Sequence, residues 1–297
     1  MLISASNIIK KTINLYRENF KVIFPYLLML FATTGVMTTL QSVTGNLGIV
    51  TLFYGYGLFT LLYFALVIAS FVLTIWFSIG LVKKKKKIYN NEKPADTKTE
   101  LHGGTHLIIP AFLVSLLIIV IIVVGLAPGL ITSLFIKKMI TISVVSISLN
   151  SIITLAFWFF YSFFVMVLLS FSYYAIVIDE HKVIQSMKTS SKLVIHRWWR
   201  TLWRLFAPAF VFAVLLAIVQ GIINIPTDII FGHLQTGTPL HIFLLALFSL
   251  ISALVGVFFT PLTTIPTVIL YEELKKTPDT KIEKKSKDEI PAELPKL

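Results

Sequence analysis

Asp179 to Phe206 reads DEHKVIQSMKTSSKLVIHRWWRTLWRLF, a basic, tryptophan-rich segment set between two long uncharged runs. Val183, Met187, Val194, Trp198, Leu202 and Leu205 recur at helical steps, and Lys188, Lys192, Arg197, Arg200 and Arg204 fall mostly between them. That is the pattern of an amphipathic helix lying in a membrane interface, expected over about 181–203. Trp198, Trp199 and Trp203 suit the headgroup layer, because an indole is an apolar body with one N–H that wants a wet partner. Lys188, Lys192, Arg197, Trp198, Trp199, Arg200, Trp203 and Arg204 are therefore the candidate lipid-headgroup residues.

The surrounding chain fixes the solvent. Of 297 residues, 56% are hydrophobic and 13% charged, and the mean hydropathy is +0.86, a composition of membrane proteins rather than of soluble domains. The absence of cysteine excludes disulfides, thiolate metal sites and cysteine nucleophiles. The first apolar run begins near Val22, is too long for the core of a secretory signal, and has no small-residue cleavage pattern after it, so the N-terminus is expected to stay on the protein.

Charge-poor runs give six expected spans at about 22–41, 58–82, 107–127, 153–178, 205–224 and 242–270, each long enough for a bilayer crossing. The predicted fold is all-α and polytopic: one integral membrane domain over 1–274, followed by a charged, disordered tail over 275–297. Residues 3–20 form a second expected interfacial helix, with Ile9, Ile13, Tyr16 and Phe20 on one face. The stretch from Lys83 to His106, with Pro94 and the Gly103-Gly104 pair, reads as a solvated connection. Lys137 and Lys138 mark the far side, and the Ser/Thr-rich stretch Thr141 to Thr154 is expected to project beyond the hydrocarbon. Asp228, His233 and His241 fall in a polar loop, and Pro261 and Pro266 predict a kinked last span whose threonines bond the freed carbonyls.

Under this six-span arrangement 24 of the 26 Lys and Arg residues fall on one side, which predicts cytoplasmic termini by the positive-inside rule. It also accounts for most of the net charge of +12 without nucleic acid. At an offset of 179 the two amphipathic segments match in class, Ile8 with Met187, Leu15 with Val194, Phe20 with Trp199 and Lys21 with Arg200. A parallel internal repeat would produce this, and so would chance alignment of two amphipathic helices.

The remaining motifs read blandly. Lys83 to Lys87 is a topology anchor before it is an anionic-lipid site. His102 and His106 have a metal-ligand spacing, but the glycines between them oppose a helix. Asp179, Glu180 and His181 are acidic and titratable at the mouth of a span, where the dipole of the following helix already favours carboxylates. No Asp, Glu, Lys or Arg lies within an expected hydrocarbon segment, which disfavours ion-coupled transport. Gln41, Asn150, Gln220 and Asn224 sit near span ends, where bonding between helices explains them. No zinc-protease, phosphate-loop, Gly-x-Ser-x-Gly or dinucleotide pattern is present, and no metal or cofactor is implied.

Asn7 to Pro25, Ile178 to Pro208 with its core MKTSSKLVIHRWWRTLWRLFAP, and the closing LISALVGVFFTPLTTIPTVILYEEL resemble a group of six-span bacterial inner-membrane proteins. These are related to the membrane domain fused to some glycerophosphoryl diester phosphodiesterases. The hydrolase of the fused members is a separate barrel with its own histidine and acidic residues, which this chain lacks. The resemblance thus implies a stand-alone membrane domain and assigns no catalytic residue here. The expected role is non-enzymatic, in envelope or lipid-related membrane organisation, with anionic membrane lipids as partners. A permease for an amphipathic or neutral solute is the alternative, to be recognised by a polar cavity between the two hairpin repeats, and a membrane enzyme comes third. A protein partner or homo-oligomer is left open.

Overall fold

The computed structural model describes residues 3–47, 57–90, 92, 96–125, 144–233 and 238–277. Among them there is no strand. The α-helices are α1 (Ala5–Glu18), α2 (Phe20–Leu47), α3 (Gly57–Tyr89), α4 (Thr97–His102), α5 (Ile108–Val124), α6 (Val144–Leu169), α7 (Ser172–Asp179), α8 (Val183–Val194), α9 (Trp198–His233) and α10 (Pro239–Lys276). Six segments are long and apolar enough to cross a membrane, so the chain is an all-α, multi-pass integral membrane protein.

Helix length sets the architecture. At about 1.5 Å per residue, α3, α9 and α10 are roughly 50–57 Å long, well beyond a hydrocarbon core of about 30 Å. The surplus of α3 and α10 lies at the charged end of the bundle, where Tyr89 bonds Glu273. The expected loop at Lys83 is therefore a correction: lysine is a good helix former and nothing between Val82 and Tyr89 breaks the ladder, so α3 continues through the whole lysine run. The connection shrinks further because Asp96 caps α4, its side chain accepting from Thr97 N–H at 2.8 Å.

The stretch expected to form one interfacial helix is two elements rather than one. α8 ends at Val194, a 3₁₀ turn spans Ile195–Arg197, and α9 begins at Trp198 and runs on as the fifth span. The fourth span divides too, into α6 and α7 at Ser170-Phe171. Ser190 of α8 fills that gap: its hydroxyl donates to Leu168 C=O at 2.8 Å and accepts from Phe171 N–H at 3.1 Å. Two backbone groups released by the break are thus satisfied from outside the helix.

Asp228 and His233 belong to α9, and His241 to the first turn of α10, so the expected polar loop is shorter than the sequence implied. α10 is one helix across Pro261 and Pro266. Its hydroxyls bond the ladder from Thr260 to Gly256 and from Thr264 to Thr260, beside rather than on Val257 and Leu262, the carbonyls whose donors the prolines remove. α10 also carries Lys275 and Lys276, and residues 278–297 of the tail lie outside the described residues, as do Lys137, Lys138 and the start of the Ser/Thr-rich stretch. Gln220 does bond between helices, donating to Ser252 C=O at 3.0 Å and accepting from Ser252 Oγ at 2.7 Å.

The best-packed core sits at the charged end. Ile8, Ile79, Phe171, Ile176, Ile269 and Tyr271 are fully buried there in one cluster. α1 docks on α9 and α10, whereas α8 docks on α5, α6 and α7. The order of short helix, break and long apolar helix occurs twice, with α2 starting at Phe20 and α9 at Trp198, but the two short helices have different neighbours.

Candidate functional site

Consecutive side chains on a helix fan out by about 100° each, so five lysines in a row face every direction around α3. Each finds a partner outside α3, two of them the same carboxylate. Lys83 Nζ bonds Glu180 at 3.0 Å and Gly103 C=O at 3.3 Å. Lys84 and Lys87 share the buried carboxylate of Glu100, at 3.6 and 3.3 Å. Lys85 donates to Thr264 Oγ1 of α10, and Lys86 to Ile178 C=O of α7 at 3.3 Å. The run ties α3 to α4, α7 and α10.

Lys84 and Lys85 are each only 3% exposed and Glu100 5%. A charge withdrawn this far from water needs a close counter-charge or polar neighbour. Glu100 supplies it for two ammoniums and also accepts from Tyr26 Oη at 3.0 Å. Gly80 makes that reach possible: a Cβ there would lie 2.6 Å from the Tyr26 ring and 2.8 Å from Leu101. Glu100 was hidden in what the sequence presented as a solvated connection, and the Asp96 cap four residues before it was the signal for its helix.

Asp179, Glu180 and His181 do not converge on one point. Asp179 accepts from Tyr271 Oη and, at 2.7 Å, from Lys275. Glu180 occupies the left-handed region at φ 56° and ends α7, its N–H bonding Ile176 C=O while His181 N–H bonds Ala175 C=O. Its carboxylate pairs with Lys83 and lies 3.7 Å from His106 Nε2. The Lys83 hydrogen bond holds the Glu180 carboxyl below its ordinary range, partly opposed by desolvation and aided by the charges of Lys83 and His106. His181 Nδ1 meets Thr189 Oγ1 at 3.3 Å. Each member fastens a different pair of elements.

Tyr89 and Arg197 complete this layer. The Tyr89 ring lies between Lys11 and Lys276, at 4.3 and 5.2 Å from its centroid, and its hydroxyl donates to Glu273 at 2.6 Å. Arg197 bonds Thr277 C=O and Leu274 C=O at the end of α10.

The eight candidate headgroup residues separate into two sets. Lys188, Lys192, Trp199, Arg200 and Trp203 are exposed, Trp199 by 76% and Trp203 by 65%. Arg197, Trp198 and Arg204 turn inward: Trp198 packs on Phe163 and Phe164, and Arg204 Nε donates to Ile3 C=O at 2.6 Å. The apolar face that the sequence offers to lipid, Val183, Met187, Val194, Trp198, Leu202 and Leu205, packs on the protein core instead. The outward stripe is Ile184, Lys188, Lys192, Ile195, Trp199, Trp203, Phe206 and Phe210, which passes from basic to aromatic to plain apolar along α8 and α9.

His102 is exposed and His106 faces Glu180, so the two do not form a ligand pair. Among the described residues no group of three His, Asp or Glu side chains is placed to hold a metal ion. No protein family, curated protein or solved structure matches the chain.

Proposed function

We propose that this is a non-enzymatic protein of the bacterial cytoplasmic membrane that binds anionic phospholipid along the outer stripe of α8 and α9 and serves lipid-related organisation of the envelope. The observation that carries the reading is the order of side chains on that stripe. Lys188 and Lys192 lie beyond the apolar span, Trp199, Arg200 and Trp203 at its edge, and Phe206 and Phe210 within it. A headgroup phosphate meets the cations, the indoles occupy the interface, and the acyl chains meet phenyl rings. Each cation near an anionic surface contributes about 1 kcal/mol. The 24-to-2 division of basic residues supports cytoplasmic termini, and the resemblance of the amphipathic blocks to stand-alone membrane domains supports the lipid-related role. The permease alternative called for a polar cavity between the first and last hairpins; the large cavity described below is walled by carbon and lies elsewhere.

Native mass spectrometry of the protein extracted with its lipids tests this. Wild type should retain anionic phospholipid, and a Lys188→Gln, Lys192→Gln, Arg200→Gln variant should lose it. Equal retention by both would remove the stripe as the binding site.

A further inference from the structure

A cavity of about 720 Å³ opens between α2, α3 and α5. Met37 and Thr38 of α2, Phe71 and Ile75 of α3, and Ile109 and Phe112 of α5 are among its walls. From Val67 to Ile75 the α3 wall rises about 12 Å. If a methylene takes about the 30 Å³ share of a water molecule, the space admits roughly two dozen such groups.

Ile68, Phe71, Ile109 and Phe112 are exposed at its lip, and all lie in segments apolar enough to span the membrane. The mouth therefore opens sideways, toward hydrocarbon. The threonines of the walls offer little to a polar solute. Thr34 donates to Leu30 C=O at 2.7 Å, Thr38 to Thr34 C=O at 3.0 Å, and Thr74 to Ser70 C=O at 2.8 Å, each within its own helix.

About one turn beyond the walls at Ile75 and Ile108, Gly104 meets Ile79. A Cβ on Gly104 would lie 3.0 Å from Ile79 Cγ2, so glycine lets this stretch approach α3 closely. Just beyond, Lys83 and His106 stand on either side of the Glu180 carboxylate, and the His106 side chain is 57% exposed. Lys83 is thus already met by a carboxylate that would repel a phosphate, and what a carbon-walled, laterally open groove matches is the aliphatic tail of a membrane lipid.

We infer that the α2–α3–α5 groove is a lipid site that holds one acyl chain of a phospholipid. It shares no residue with the α8–α9 stripe, so either site stands without the other. Packing of an aliphatic chain gives selectivity by length and shape, since the walls supply dispersion contacts and few directional ones.

The test uses the full chain in nanodiscs of phosphatidylglycerol and phosphatidylethanolamine, doped with a phospholipid carrying a diazirine on one acyl chain. After irradiation, peptides from residues 33–42, 67–75 and 108–113 should carry severalfold more label than the equally exposed α9 peptides around Phe210 and Ile222. Thr38→Phe and Val67→Phe, which fill the groove from opposite walls, should each abolish that enrichment. The Lys188→Gln, Lys192→Gln, Arg200→Gln variant should leave it intact, which separates this site from the headgroup stripe. Labelling that merely follows exposure, or enrichment that survives both filling variants, would overturn the inference.

Discussion

At the charged end, side chains from α1, α3, α7 and α10 such as Ile8, Ile79, Ile176 and Ile269 are sealed from solvent, while farther along the bundle Leu61, Ile109, Phe160, Ile222 and Phe243 remain 63–70% exposed. The difference follows from the two solvents. Lipid tails are as apolar as leucine, so helices within hydrocarbon gain little by hiding their side chains from it and associate through close packing and sparse hydrogen bonds such as Gln220 with Ser252. Helix ends that pass beyond the hydrocarbon meet water and need a core of their own. Here α1, α4, α7 and α8 provide it. The lysine run then fastens α4 and α7 to the ends of α3 and α10.

The largest expected effect that separates the regions is at Glu100. Glu100→Ala removes the carboxylate that buried Lys84 and neighbouring Lys87 share, and breaking a buried pair costs about 3–5 kcal/mol. Thermal unfolding in detergent should show a large fall, whereas Phe210→Ala, on the lipid-facing side of α9, should change little. Lys85→Met should go the other way or be neutral, because it exchanges a buried ammonium held by a threonine hydroxyl for an apolar side chain of similar length. If Glu100→Ala and Phe210→Ala were equally mild, the two ends would not differ as described.

A smaller effect is expected at the break in the fourth span. Ser190→Ala leaves Phe171 N–H and Leu168 C=O without the hydroxyl that joins them, a loss of about 1–3 kcal/mol for buried groups left unpaired. Hydrogen exchange should quicken around residues 168–172 more than elsewhere in α6 or α7. Unchanged exchange there would mean that the break is satisfied by other means.

The smallest effect is the pH response of Glu180. Its carboxyl titrates lower in the folded protein than in the unfolded chain because Lys83 favours the ionised form. The stability it contributes is therefore fully present above the ordinary carboxylate range and is lost as pH falls through the lowered folded value. More than half of its side chain is exposed, so water and salt weaken the pair. Unfolding midpoints followed downward through the carboxylate range should fall slightly more steeply for wild type than for Glu180→Gln. Coincident curves would show that the pair adds nothing measurable.

The membrane fold was legible because long charge-free runs have few alternatives, and the ends of those runs locate the bilayer. The helical period of Asp179 to Phe206 was legible as well, but what Val183, Met187 and Leu202 meet was not: protein core and lipid are both apolar, so these side chains read the same in either. The lysine run misled for a related reason. Helix propensity and the absence of a breaker pointed to a continuous α3, yet five adjacent charges suggested water, and only the folded positions of Glu100, Thr264 and Ile178 reveal partners more than ten residues away. The division of the fourth span left no local mark, since Ser170-Phe171 lies in an unbroken apolar run and its satisfying hydroxyl comes from Ser190 of another helix. Glu180 is the reverse case, an ordinary acidic residue in sequence whose left-handed backbone stops α7 and aims its carboxylate at Lys83.

The lysine run of α3 is a packed, internally paired helix rather than a solvated loop. Hydrogen exchange of the unmodified protein in nanodiscs, read over residues 83–89, addresses this directly. The amides should be protected to nearly the degree of the preceding turns of α3, as expected where helix hydrogen bonds and buried neighbours coincide. Complete exchange at the earliest time point, with protection ending at Val82, would contradict it.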